Sequence, residues 1–137
     1  MLEISAKGYY GLAALFHLAL NYNKGPVLIK EIARRQNIPQ NYLEQLLVRL
    51  KNFNFVKSFR GKKGGYALCA PPSHINVLDV LTSLEGDLRL IRSCVQSEVL
   101  RLFFNKVEKN IKGLFDQSLE DLILTKHELG QKLMYNI

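Results

Sequence analysis

From Ser5 to about Tyr22, the apolar residues Tyr9, Leu12, Ala13, Phe16, Ala19 and Leu20 recur at helical spacing, and Gly25-Pro26 closes the segment. That pattern predicts a core helix. Ile29, Ile32 and Ala33 then give a short amphipathic turn-and-a-half, whose other face carries Lys30, Glu31, Arg34 and Arg35, and Asn37-Ile38-Pro39 stops it. Proline suits the first position of a following helix, because the N–H it lacks would have had no intrahelical partner there. The next periodic run extends from about Gln40 to Phe53, with Leu43, Leu46, Leu47 and Leu50 as the buried stripe. Asn41, Glu44, Gln45, Val48 and Arg49 form its outward face. Two short helices joined by a tight turn, the second with a polar exposed face, form a helix-turn-helix pattern.

The spacing then changes to that of strands. Phe55-Val56-Lys57-Ser58-Phe59 and Tyr66-Ala67-Leu68-Cys69 flank Arg60-Gly61-Lys62-Lys63-Gly64-Gly65, which reads as a hairpin with a basic tip. The three glycines allow positive φ and close approach to a neighbouring surface, and Arg60, Lys62 and Lys63 supply charge. Behind a helix-turn-helix, such a hairpin is a wing.

Ala70-Pro71-Pro72 ends the wing and begins a linker. Asn76 is placed as an N-cap, with Asp79 three residues on, before the stripe Val77, Val80, Leu81 and Leu84 and a closing Gly86. After a polar loop with Arg89, Arg92 and Cys94, the apolar residues Leu100, Phe104, Val107, Ile111 and Leu114 alternate steps of four and three. That heptad spacing suits a helix packed on a partner helix, and we expect these five residues to form the seam of a homodimer. The bulky Phe103–Phe104 pair would otherwise stay exposed. Ser118-x-x-Asp121 and Thr125-x-x-Glu128 each resemble a capping box, which predicts two further short helices trimming the dimer end.

The expected fold class is therefore mainly α with a small β-wing: a winged helix-turn-helix over 1–72, then a linker helix, a long dimerisation helix and C-terminal helices over 73–137, packed as one unit with the first part.

Charge sharpens this picture. Through Ala70 there are eleven Lys and Arg against three Asp and Glu, whereas the remainder has eight against nine, so the whole excess of +7 lies in the first half. A polyanion, double-stranded DNA, is the partner such a distribution fits. No apolar run approaches the roughly 20 residues of a membrane span, and the N-terminus lacks the order of a secretion signal, which makes the cytoplasm the default compartment and a membrane partner unexpected. Catalysis finds no support: there is no Gly-rich phosphate loop opening a helix, no nucleophile with an evident base and no recognisable carboxylate pair. His17, inside the first helix, reads as a packing or exposed residue. Two cysteines, Cys69 and Cys94, are too few for a disulfide framework or a four-cysteine metal site.

Taken together, SAKGYYGLAALFHLAL, GPVLIKEIARRQNIPQNYLEQLLVRL, VKSFRGKKGGYALCAPP and INVLDVLTSLEG resemble, in order and spacing, the Rrf2-type bacterial transcription regulators, a family that includes iron–sulfur cluster sensors, nitric-oxide sensors and cluster-free repressors of cysteine metabolism. The later LFDQSLEDLI resembles the end of the family's dimer-helix region. The resemblance implies a dimer on a roughly palindromic operator, repression being the expected outcome. Asn41, Tyr42, Glu44 and Gln45 would lie in the major groove and the Arg60 wing in the adjacent minor groove. Those roles agree with chemistry: Asn and Gln bond adenine edges, Glu44 can accept from a cytosine amino group, and Arg60 suits a narrow A·T minor groove. Lys7, Arg49, Lys62 and Lys63 are expected on phosphates, with Gly64 completing the DNA-facing wing.

The sequence departs from cluster-binding members, which carry three closely spaced cysteines before the dimer helix, where this chain has Cys94 alone. His74 and His127 do not restore a ligand set, so no metal and no cofactor is expected. An alternative makes Cys94 a redox sensor or part of an unusual metal or cluster site, with Arg89 and Arg92 lowering its pKa; an inert loop cysteine is the simpler reading. A protein-interaction module that has lost DNA binding is a further alternative. Neither the effector ligand nor a partner protein is legible.

Overall fold

Residues 3–91 and 96–135 are described by a computed structural model. The first helix, α1 (Ala6–Leu20), buries Gly8, Gly11, Ala14, Leu15, His17, Leu18 and Ala19. The expected stripe is therefore rotated: Tyr9 is 65% exposed, and Leu12, Ala13, Phe16 and Leu20 are only half-buried. The helix is apolar nearly all round, so periodicity cannot select a face, and its glycines do so instead. A Cβ on Gly11 would fall 2.3 Å from Leu84 Cδ1, and one on Gly8 2.5 Å from Glu85 Oε1. Along this glycine face α1 meets α4 (Val77–Glu85).

The short α2 (Ile29–Gln36) ends at Asn37, whose φ of 54° is left-handed, and Pro39 is the N-cap of α3 (Gln40–Asn52), one position before the site expected for it. Leu43, Leu46, Leu47 and Leu50 are all buried, as their spacing predicts. The strands β1 (Val56–Phe59) and β2 (Gly65–Leu68) pair antiparallel, with Val56 opposite Leu68 and Phe59 opposite Gly65. A third piece of backbone joins them. Val27 and Tyr66 exchange two N–H···O bonds of 2.8 Å, tying the wing to the turn before α2.

Gly65 is what permits that junction. Its φ is +133°, and a Cβ there would lie 2.3 Å from the Val27 carbonyl oxygen. Gly65→Ala is expected to lower stability by about 3 kcal/mol, combining backbone strain with overpacking against rigid main chain, and to lower the melting temperature by roughly 10 °C. Thermal unfolding followed by circular dichroism checks this; an unchanged midpoint would mean that the wing is not anchored through Val27.

The segment expected as a linker is built into the structure. Pro72–His74 form a 3₁₀ turn, Ile75 is buried, and Val77 N–H donates to the Gln117 carbonyl (2.6 Å) while Leu119 N–H donates to that of Ile75 (3.0 Å). As expected, Asn76 caps α4, its side chain accepting from Asp79 N–H at 3.2 Å.

After α5 (Glu98–Phe115), one continuous helix, α6 (Leu119–Tyr135), replaces the two short ones expected. Ser118 and Asp121 form the expected capping box: Ser118 Oγ accepts from Asp121 N–H at 3.1 Å, and Asp121 Oδ2 accepts from Ser118 N–H at 2.8 Å. Thr125 starts nothing. Its hydroxyl donates back to the Asp121 carbonyl at 3.1 Å, which mimics a capping signature while leaving the helix intact. The first half of α6 also lies on its own chain, along α1, with Leu119 fully buried and Leu122 and Ile123 against the core. One hydrophobic core thus draws on both sides of residue 72.

His17 is a buried packing residue. Asn21 Nδ2 donates to its carbonyl at 2.9 Å, and burial, reinforced by Arg35 and Lys126 and opposed by Glu31, holds its pKa below the ordinary 6.5. The unfolded chain consequently takes up a proton that the folded chain refuses. The contribution of His17 to stability is full above pH 6.5, falls as pH drops through that value, and is lost once the pH is below the folded pKa. Melting temperatures measured from pH 8 to 5 are expected to drop more in the wild type than in His17→Gln; parallel curves would contradict this.

Candidate nucleic-acid interface

The leucines of α3 face inward, and this alone turns Asn41, Glu44, Gln45 and Val48 outward, where all four are exposed. Tyr42 is different. It is half-buried, its ring meeting that of Tyr10 edge-on at 5.8 Å, so it fixes the first turn of α3 against α1. Arg49 is also half-buried, and its Nη2 reaches the Leu84 carbonyl at 3.5 Å, at the C-terminal end of α4. A guanidinium is favoured there by the helix dipole. Arg49, expected on a phosphate, therefore also braces the recognition helix.

Lys7 is half-buried in the first turn of α1. That turn is held by a residue the sequence did not point to, Glu85. Its Oε1 accepts from Ser5 N–H (3.2 Å), Gly8 N–H (2.9 Å) and the Ser5 hydroxyl, satisfying donors that would otherwise lack an intrahelical partner. No local pattern could show this, because cap and helix lie 77 and more residues apart.

At the wing tip Arg60, Lys62 and Lys63 are exposed, and none enters an ion pair among the described residues. Gly64 does not face outward as expected. It is buried in the turn: its N–H donates to the Gly61 carbonyl at 3.0 Å, and a Cβ would stand 2.6 Å from the Phe59 carbonyl oxygen. Close packing of the turn on itself is what requires glycine there. Between helix and wing lies Lys51, another residue sequence reasoning passed over, whose ammonium donates to Ser58 Oγ at 2.9 Å. Its spacing of seven from Glu44 places it on the same face of α3 and could have revealed it.

Packed beside α4, α5 buries no residue completely. Of the five expected seam residues, Leu100 and Leu114 are exposed, whereas Phe104, Val107 and Ile111 are half-buried. Ile111 and Phe115 line a cavity of about 350 Å³ with Leu78 and Leu81 of α4, so that edge of α5 already serves its own chain. The exposed apolar side chains of α5 are Val99, Leu100, Leu102, Phe103 and Leu114, with Phe103 52% exposed. Of the aromatic pair, Phe103 and not Phe104 is the outward member. The loop entering α5 is tied to it through Asp87, whose carboxylate meets Lys112 Nζ at 3.2 Å and is held below the usual range first by that hydrogen bond and charge, then by Arg89.

Cys94 and Arg92, named in the redox alternative, lie outside the described residues. Cys69 is exposed on the wing. Among the described residues no three His, Cys, Asp or Glu side chains come together as metal ligands, and no helix is long and apolar enough to cross a membrane.

Residues 4–125 match the profile of the Rrf2 family, described as iron-dependent transcriptional regulators. The transcriptional regulator CymR of Bacillus subtilis is 37% identical over 123 residues, covering 88% of this chain and 89% of the relative. The regulator IscR of Escherichia coli O1:K1 is 39% identical over 91 residues, 66% of this chain and 56% of that protein. Among solved structures, that of B. subtilis CymR, described as that organism's global cysteine regulator, superposes with a TM-score of 0.82 at 36% identity, covering 89% of this chain and 96% of the other. T. potens IscR gives 0.81 at 39% identity, covering 93% and 90%. Where the family description includes iron, the donor set of this chain does not fit a cluster held by three cysteines, since Cys69 sits on the wing and the chain has only one other.

Proposed function

Because this chain belongs to the Rrf2 family of transcriptional regulators, we propose that it acts as a homodimer on a two-fold-symmetric operator, as a repressor and without an intact iron–sulfur site. It is a DNA-binding regulator of winged helix-turn-helix fold. The observation that carries the finer reading is an exposed polar face of α3, linked to strand β1 of the wing by the Lys51–Ser58 hydrogen bond, together with wing-tip cations that have no ion-pair partner among the described residues. We place Asn41, Glu44 and Gln45 on base edges in the major groove, Arg60 in the adjacent minor groove, and Lys7, Arg49, Lys51, Lys62 and Lys63 on phosphates.

Dimerisation is supported by α5, whose apolar face is left exposed by the described residues of its own chain. In this reading residues 1–72 read DNA and 73–137 make the dimer, within one packed unit. Repression follows where a dimer occupying the groove excludes polymerase from an overlapping promoter. No catalytic role is assigned, and the cytoplasm is the compartment that goes with such a role. Titration of a selected operator duplex, with mass measured by sedimentation, is expected to give two chains per duplex; one chain per duplex at saturation would overturn the dimeric reading.

A further inference from the structure

We propose that Val48 reads the methyl group of a thymine in the operator. Among the described residues of α3, the exposed positions are Gln40, Asn41, Glu44, Gln45, Val48, Lys51 and Asn52, and Val48 is the one apolar side chain in that set. It is 55% exposed, so it adds little to the core that Leu46, Leu47 and Leu50 already fill from the opposite face. A β-branched residue is also a poor choice for an exposed helix position, since it restricts χ1 without compensation from packing. Neither packing nor helix propensity thus accounts for valine here.

Its place on the helix offers an account. Val48 follows Glu44 by four residues and Gln45 by three, on the face that carries the polar base-reading candidates, and Lys51 follows it toward the wing. Gln45 and Val48 are separated by about 4.5 Å along the axis, comparable with the roughly 3.4 Å step between stacked base pairs. A side chain at Val48 therefore meets the base pair next to the one Gln45 meets. An isopropyl group can read one feature of the major-groove edges by apolar contact, the C5-methyl of thymine. The inference rests on the reading that α3 lies in the major groove.

The test uses a duplex selected by the full-length protein from a random pool, with each thymine replaced singly by deoxyuridine, which removes only the methyl group. At one thymine per half-site, wild type is expected to lose about four-fold in affinity, the worth of one buried methyl group, and Val48→Ala is expected to lose nothing further there. On the unsubstituted duplex Val48→Ala should itself bind about four-fold more weakly per half-site. If no thymine distinguishes the two proteins, the assignment of Val48 is wrong. If wild type selects no sequence from the pool, the placement of α3 in the major groove fails first.

Discussion

Replacing Arg60, Lys62 and Lys63 together by alanine is expected to lower operator affinity on the order of a thousand-fold and to leave the fold intact. The three side chains are exposed and free of ion pairs among the described residues, so their removal takes nothing from the core, and the melting temperature should stay within about 1 °C of wild type. What they contribute is counterion release. Each phosphate neutralised adds about −0.9 to the slope of log affinity against log salt, so losing Lys62 and Lys63, the two of the three placed on phosphates, from both protomers of a dimer should flatten that slope by about four. Titrations at several salt concentrations separate this from a loss of base reading, which would weaken binding at an unchanged slope. A triple variant that is folded and keeps the wild-type slope would show that the wing tip does not touch phosphate.

Phe103→Glu is expected to convert the protein into monomers at micromolar concentration. Phe103 is 52% exposed on α5, and in a two-fold interface each substitution counts twice. Losing a buried aromatic anchor costs about 2 kcal/mol or more per copy, which raises the dimer dissociation constant at least about a thousand-fold, before the introduced carboxylates repel. Operator affinity should fall with it, because two half-sites no longer bind as one linked unit. Phe104, half-buried against its own chain, should show a different signature: Phe104→Glu is expected to lower the melting temperature as well. Sedimentation velocity reads the first effect; a Phe103→Glu variant that remains dimeric would remove α5 from the interface.

Much of this architecture was legible because local signals agreed with tertiary ones. In α3 the leucine spacing fixed the buried face and so the exposed one, and in α4 a capping asparagine, an amphipathic stripe and a terminal glycine all pointed to the same helix. The failures have a common physical origin in information that is not local. The face of α1 is chosen by how closely Gly8 and Gly11 let α4 approach, and a helix apolar nearly all round carries no trace of that. Val27 joins the wing by a single bridge and Glu85 caps a helix far away in sequence, so neither leaves a periodic pattern. Thr125 shows the converse, a capping signature that the chain satisfies in mid-helix. At the candidate interface, residue type indicated the exposed groups, Asn41, Glu44, Gln45, Arg60, Lys62 and Lys63, but not that Tyr42 and Arg49 also brace α3 or that Gly64 packs inward.

A footprint on the selected duplex, with competition by random DNA at physiological salt, tests sequence-specific reading by a symmetric dimer most directly. The expected result is protection of two symmetric half-sites about 34 Å, one helical turn, apart, with the selected duplex bound at least about a thousand-fold more tightly than random DNA. Equal affinity for both duplexes, or protection without two-fold symmetry, would contradict it.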